Sequence, residues 1–246
     1  MKHTFLLAKR VIKQLFQDKR FLVLSIIAPF LIIFFLKTIF DTFGTSFPQE
    51  RYIMPMALFI VYFLSFILCA ILLVQERNNG TLERLFVSGF KKIEIISGFM
   101  FGYLGLATVQ SIIVLTEVVY LFDISFRTET FFSILLVFWL LAIVSVMLGI
   151  FVSTFARNEA QVFPFIPLFI LPAVFFSGLL TDVDLLPQWA NWLAHLMPLY
   201  YANQIILELI TENGQLTNKL GDLFILIFFG FALVLIASFT LNKFSE

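Results

Sequence analysis

Between Gln75 and Glu94 the chain reads QERNNGTLERLFVSGFKKIE, a run in which Arg77, Arg84, Lys91 and Lys92 are interspersed with Glu76, Glu83 and Glu94. Charges of both signs at this density form ion pairs and charge-assisted hydrogen bonds, so the chemistry on offer is recognition of another surface. Residues suited to bond making are sparse. The two histidines, His3 and His195, belong to no H-E-x-x-H, and no G-x-S-x-G presents a nucleophile. No G-x-x-x-x-G-K-[ST] is present to cradle ATP phosphates on backbone amides, so any ATP is expected on another chain. Cys69 is the single cysteine and offers neither a disulfide framework nor metal-ligand spacing. The reading is therefore of a chain that is not an enzyme, with no catalytic, cofactor-binding or metal-binding residue.

The elements that hold the charged run follow from composition. Hydrophobic residues make up 61% of the chain, 34 of its 246 residues are Phe, and charged residues reach only 13%, against about 25% in ordinary globular domains. This is the composition of an integral membrane protein. Sixteen basic residues balance sixteen acidic ones, which removes any charge argument for nucleic acid binding. At 1.5 Å of rise per residue, about 30 Å of hydrocarbon takes about 20 apolar residues. Six such runs are present, near Phe21 to Phe40, Ile53 to Val74, Ile95 to Tyr120, Phe131 to Phe155, Gln161 to Leu180 and Leu223 to Leu241. The first is expected to stay as a signal anchor, because it lies too far from the N-terminus and is too long for a cleaved peptide. Little chain is left for a soluble domain, and no internal repeat or linker divides residues 1–246.

Lys and Arg collect in short cytoplasmic loops. With both termini inside, the cytoplasmic set is Lys2, Lys9, Arg10, Lys13, Lys19, Arg20, Arg77, Arg84, Lys91, Lys92, Arg157 and Lys243, twelve against the four external residues Lys37, Arg51, Arg127 and Lys219. Residues 4 to 18 read as an amphipathic helix: Phe5, Ala8, Ile12, Leu15 and Phe16 recur at helical spacing, with Lys9, Arg10, Lys13, Gln14 and Gln17 opposite. Such a helix suits an anionic membrane surface. Thr181 to Gly221 is too polar to cross and too apolar to float free; Leu185, Leu186, Trp189, Trp192, Leu193 and Leu196 mark one side of a short helix after Pro187, either a re-entrant external element or an interfacial anchor. Pro164, Pro167 and Pro172 invite kinks in the fifth span and favour an inner position for it. Lys37 and Glu117 lie near the external ends of their spans and are expected to snorkel to water, which leaves no proton relay at mid-membrane.

Gly80-Thr81-Leu82-Glu83-Arg84-Leu85 after Glu76, the opening helix followed by Gln17-Asp18-Lys19-Arg20, Pro29 in the first span, Phe176-Ser177-Gly178-Leu179, Leu186-Pro187 and Pro198-Leu199-Tyr200-Tyr201-Ala202 occur in an order that resembles the type-2 permease family of ATP-binding-cassette (ABC) exporters. The resemblance spans nearly the whole length. It implies an all-α protein with six transmembrane helices, an N-terminal elbow helix and an external re-entrant segment between spans five and six, forming one permease domain. It further implies that Glu76, Arg77, Gly80, Thr81, Leu82, Glu83, Arg84 and Leu85 form a coupling helix docked on an ATPase. The implied partners are two ABC ATPase subunits carrying ATP and magnesium, and a second permease, identical or homologous, in the cell membrane. A path between the two permeases would be lined mainly by the second and fifth spans. Phe59, Phe63, Phe66, Phe165, Phe169 and Phe175 would supply an apolar lining suited to a lipid-like, amphipathic or drug-like substrate, although so many Phe decorate every helix face in any case. An ion-coupled secondary transporter and a non-transporting membrane scaffold are the alternative readings.

The charge bias is testable directly. Cysteine labelling from either side is expected to place both termini, Asn79 and Asn158 in the cytoplasm and Phe47, Arg127 and Asn191 outside. External labelling at position 79 would overturn this map.

Overall fold

In hydrocarbon every backbone donor and acceptor must be satisfied within its own segment, so long runs of Leu, Ile, Phe and Val fold as helices. The computed structural model describes residues 2–43, 49–211 and 214–240. Phe47, Leu241 and Lys243 lie outside the described residues, as do the side chains of Lys2, His3, Arg20, Leu82 and Lys92. Among the described residues there is no strand, and ten α-helices follow in order: α1 (Lys2–Gln17), α2 (Lys19–Thr42), α3 (Gln49–Asn78), α4 (Thr81–Val87), α5 (Lys92–Leu121), α6 (Thr128–Ser153), α7 (Phe165–Phe176), α8 (Gln188–Ala194), α9 (Pro198–Leu209) and α10 (Leu220–Thr240). Six segments are long and apolar enough to cross a bilayer, and they coincide with the six expected runs.

The centre is α3 against α6; 67% of the span residues in each are buried, compared with 22% in α2 and 11% in α10. The two helices meet at Gly149, where a Cβ would stand 2.7 Å from the Phe66 carbonyl oxygen and 3.0 Å from the Cys69 Cβ. Small residues permit such approaches, which carry much of helix association in lipid. Ser145 adds a hydroxyl donated to the Tyr62 carbonyl, and Ser65 Oγ donates to Gln110 Oε1 of α5 at 3.0 Å.

The opening helix forms as expected, with Ala8 and Leu15 of the expected apolar side buried, but the buried stripe is shifted around the helix. Leu7, Ala8, Val11 and Leu15 are buried, whereas Phe5 and Phe16 are exposed. The reason lies on α5: Gly98 and Gly102 present a bare backbone notch, and a Cβ there would come within 2.7 Å of Leu7 Cδ2 and 2.5 Å of Val11 Cγ1. A helix choosing between lipid headgroups and this notch seats its slimmer aliphatic stripe in the notch.

Three further expectations change. The fifth span is a short 3₁₀ turn at Glu159–Gln161 followed by the 12-residue α7. Pro164 caps α7 and Pro167 sits in its first turn, where a missing N–H costs nothing, so only Pro172 lies deeper. Just 17% of this span is buried, which places it at the edge of the subunit and not inside it. The stretch after Pro187 holds two helices: α8, with Trp189 and Trp192 exposed, and α9, whose Leu199, Ala202, Ile205, Ile206 and Leu209 are buried against α3, α6 and α10. Glu117 does not snorkel. It is buried, and neither carboxylate oxygen meets a hydrogen-bond partner among the described residues. It shares a face of α5 with the buried Gln110 seven residues earlier, a spacing of two turns, and that face points into the bundle. Lys37, by contrast, reaches Asp41 one turn on at 2.6 Å.

Adding one methyl in the notch tests the α1–α5 seat. Gly102→Ala is expected to lower the thermal unfolding midpoint in detergent, equivalent to an overpacking cost of about 1–3 kcal/mol, while Gly105→Ala, whose Cβ would stand 3.8 Å from Ile12, leaves it nearly unchanged. Equal midpoints for the two would remove the seat.

Candidate functional site

The charged run folds into α4 and its two turns. Gly80 ends α3 with φ +65°, and Gly89 ends α4 with φ +84°, both in the left-handed region that glycine enters without a Cβ penalty. After α4 the N–H of Phe90 donates to the Leu85 carbonyl at 3.1 Å and that of Gly89 to Phe86 at 3.0 Å, the paired bonds of a Schellman stop. A seven-residue helix is marginal alone. Here the C-terminal end is closed, and Thr81 and Leu85 are buried where α4 packs on α3.

Leu85 therefore anchors the helix to its own subunit and has little surface for another protein. The residues that face outward are Glu83, Arg84, Phe86 and Val87, with Val87 90% exposed. Arg84 also turns back to cap the preceding turn, donating to the Asn79 carbonyl at 2.8 Å. Phe86 and Val87 went unassigned in the sequence; their position one turn beyond Glu83, just before the Ser88-Gly89 stop, is the signal that would have found them.

Glu76 and Arg77 tie the last turn of α3 to other elements. Glu76 is buried and accepts from Arg10 Nη2 at 3.4 Å and from Gln14 Nε2, both on α1. Gln14 and Glu76 line a cleft of about 50 Å³ that Val11, Leu72, Phe99 and Tyr103 also wall. Arg77 Nη1 donates to the carbonyls of Ala156 at 3.0 Å and Thr154 at 3.5 Å, just past the C-terminus of α6, where unsatisfied carbonyls favour a cation. Three elements distant in sequence thus converge within one turn of Gly80.

The phenylalanines sort into three groups by exposure. Phe59 and Phe63 stack with centroids 6.0 Å apart, and Phe66 meets Phe169 at 6.3 Å, joining α3 to α7. Phe165 stands 6.2 Å from Phe155, two residues past the end of α6. Phe66 has no exposed surface, Phe59, Phe63, Phe165 and Phe169 are half-buried, and Phe175 is exposed near the far end of α7. At that same end Arg51 holds Asp182 through two contacts of 2.9 and 3.0 Å, and Asn203 Nδ2 of α9 donates to the Ser177 carbonyl at 3.0 Å. Among the described residues no cluster of His, Cys, Asp and Glu is arranged to hold a metal.

The family model described as "ABC-2 type transporter" matches residues 2–211. The chain is similar to ABC transporter G family member 20 of Dictyostelium discoideum, 27% identical over 179 residues, covering 70% of this chain and 24% of that protein. It is also similar to the linearmycin resistance permease protein LnrN of Bacillus subtilis, 25% identical over 157 residues, covering 64% of this chain and 40% of that one. A probable multidrug ABC transporter permease, YbhR of Escherichia coli, is 26% identical over 151 residues, with coverage of 61% and 40%. The matched segments span less than half the length of each of these relatives.

The tie between α1 and α3 is measurable as a coupling. Arg10 is partly exposed, so a double-mutant cycle of Arg10→Ala and Glu76→Ala on unfolding stability is expected to give about 0.5–1 kcal/mol. Full additivity would mean that Glu76 does not hold α1.

Proposed function

Since this chain belongs to the ABC-2 type transporter family, we propose that it is the permease subunit of an ABC exporter, with residues 1–246 acting as one membrane domain. Two cytoplasmic ABC ATPase subunits bind ATP and magnesium and supply the hydrolysis, and a second permease, the same or homologous, completes the path. Both termini lie in the cytoplasm and the subunit resides in the cell membrane. The observation that carries this reading is α4: a short helix bounded by Gly80 and Gly89, seated on α3 by Thr81 and Leu85, with Phe86 and Val87 outward at a loop tip. Apolar side chains exposed there suit a partner surface with apolar pockets and a polar rim for Glu83 and Arg84.

The mechanism follows from how α4 is held. Closure of the ATPases around ATP presses on Glu83 to Val87, and α4 passes the displacement to α3 through its buried side. Glu76 carries it to α1 and Arg77 to the end of α6. At the level of Phe66 and Phe169, α3 moves α7, the span at the subunit edge where a second permease can meet it. The ATPases bias two packings of the pair, one open to each side, by binding them with different affinity. The half-buried Phe59, Phe63, Phe165 and Phe169, together with Phe175, favour a lipid-like, amphipathic or drug-like cargo. The names of the relatives, given for linearmycin resistance and multidrug transport, support the same class. Phe66 contributes by holding Phe169 in place.

Val87→Asp places a charge in an apolar contact, and with the ATPase co-expressed it is expected to keep membrane insertion while lowering association about tenfold, the equivalent of about 1.4 kcal/mol. Glu83→Arg should act in the same direction, and Arg127→Glu at the opposite end of the spans should be mild. Wild-type co-purification and transport for both loop variants would leave the coupling role without support.

A further inference from the structure

Among the described residues, six buried side-chain polar atoms have no hydrogen-bond partner, and four of them lie on α5: Gln110 Nε2, Ser111 Oγ and both carboxylate oxygens of Glu117. Buried polar groups are paired in folded proteins with few exceptions, so such a concentration asks for a cause. Gln110 is half accounted for, since its Oε1 accepts from Ser65 of α3, and Ser111 is neutral. Glu117 differs. It sits one turn before the end of α5, inside the third span, with both oxygens shut off from solvent. An ionisable group inside a membrane bundle is costly, and it persists where it has a function.

The helices packed on α5 are α1, α2, α3, α6 and α10, and none supplies a counter-ion. α2 brings Lys37, which Asp41 holds at 2.6 Å. α3 brings Arg51, held by Asp182 at 2.9 Å, and the phenols of Tyr52 and Tyr62. α10 begins beside Lys219 and Asp222, which pair at 3.5 Å. α6 has Arg127 and Glu129 at its start, both exposed, and α5 itself adds the exposed Tyr120 and Asp123. α1 packs at Gly98 and Gly102, toward the other end. None of these groups hydrogen-bonds Glu117. A cation from a second subunit would have to reach oxygens that are sealed inside this one. A metal ion takes about six or more oxygen ligands, and among the described residues no three of His, Cys, Asp and Glu gather to offer them. A proton is small enough, and a neutral carboxylic acid without hydrogen bonds costs far less to bury than an unpaired carboxylate.

We propose that Glu117 is a proton-binding site of the membrane domain: in this packing its carboxyl carries one proton, taken from water at the Arg127 end of the bundle and returned when the packing around α5 opens. The site is independent of the cargo and of any partner chain. On opening, the O–H bond breaks as water accepts the proton, and the carboxylate left behind is solvated. Any rearrangement that wets this face of α5 therefore releases one proton, and rising pH favours it. The sign is opposite to that of a salt-bridged carboxylate, which stabilises its fold as pH rises.

Infrared spectroscopy reads the proton without a transport assay. The full chain is reconstituted in ether-linked lipid, which has no ester carbonyl to overlap. At neutral pH, where exposed Asp and Glu are ionised, it is expected to show the C=O stretch of a protonated carboxylic acid, missing from Glu117→Gln. Linkage gives the second readout. An unfolded Glu releases its proton at about pH 4.3. Between about pH 5 and 7 the folded-to-unfolded ratio of the wild type should therefore fall, relative to that of Glu117→Gln, by up to about tenfold per pH unit. Glu129→Gln, at an exposed position of α6, should leave band and profile as in the wild type. If Glu117→Gln fails to fold, Glu117→Met, neutral and of similar length, replaces it. Absence of a Glu117-dependent acid band at neutral pH would overturn the proposal, as would wild-type and Glu117→Gln stabilities that run parallel with pH. Loss of a carboxylate band on substitution, with equal destabilisation at every pH, would overturn it too and assign Glu117 to an ion pair with another chain.

Discussion

At Gly149 the backbones of α3 and α6 stand so close that the Phe66 carbonyl oxygen occupies the place a side chain would need, and the remaining elements are arranged around that contact. Without a hydrophobic drive between helices in lipid, association depends on close packing and internal hydrogen bonds. Phe66 belongs to the contact and also touches Phe169; Ser145 and Ser65 lie on the same two helices and bind the Tyr62 carbonyl and Gln110 of α5. The pair is thus the packing centre of the subunit. Elements that lie farther out, α2, α7 and α10, expose most of their surface and are free to meet lipid or another subunit.

The number and placement of the spans were legible because a hydrocarbon slab imposes one length and one polarity on whatever crosses it. The identity of the inward faces was not. The third and fourth spans show no apolar stripe set against a polar one, so periodicity carries no signal about which face turns inward. Glu117 shows the consequence: position near a helix end suggested reach to water, whereas its register with Gln110 turns it into the bundle. The opening helix failed differently. Its 3.6-residue pattern contains two apolar edges, and the choice between them was made by Gly98 and Gly102 of α5, about ninety residues away. Those glycines are four apart in an apolar run, a small-xxx-small spacing that could have been read. Nothing in α9 revealed a buried helix, because its polar Tyr200, Asn203 and Gln204 mask a stripe that is complete only against α3, α6 and α10.

The candidate coupling segment was legible as a place, whereas the division of its side chains into inward and outward was not. Charge density and Gly80 mark a loop, and the helix is there. Which of its residues face out depends on where α4 touches α3, and a seven-residue helix offers too few turns for an apolar stripe to be recognised. Leu85 went inward, and the outward apolar residues are the pair that follows it. Glu76 and Arg77 were grouped with the loop as ATPase contacts, yet both hydrogen-bond within the same subunit, Glu76 to α1 and Arg77 just after α6. Adjacent residues on a helix point about 100° apart, so neighbouring charges there reach two different elements.

α7 is about 18 Å long at 1.5 Å per residue, well short of the roughly 30 Å of hydrocarbon that surrounds it. The rest of that crossing is made by the turn at Glu159–Gln161 and the bend after Ser177. Near the first of these, the Arg157 N–H is met by Gln161 Oε1 and the Gln161 N–H by Asn158 Oδ1. Polar groups of this kind draw headgroups and water inward, and a span that is too short is accommodated by thinning of the bilayer beside it. A bilayer that thins to match α7 would offer a shorter apolar barrier beside it than one of full thickness.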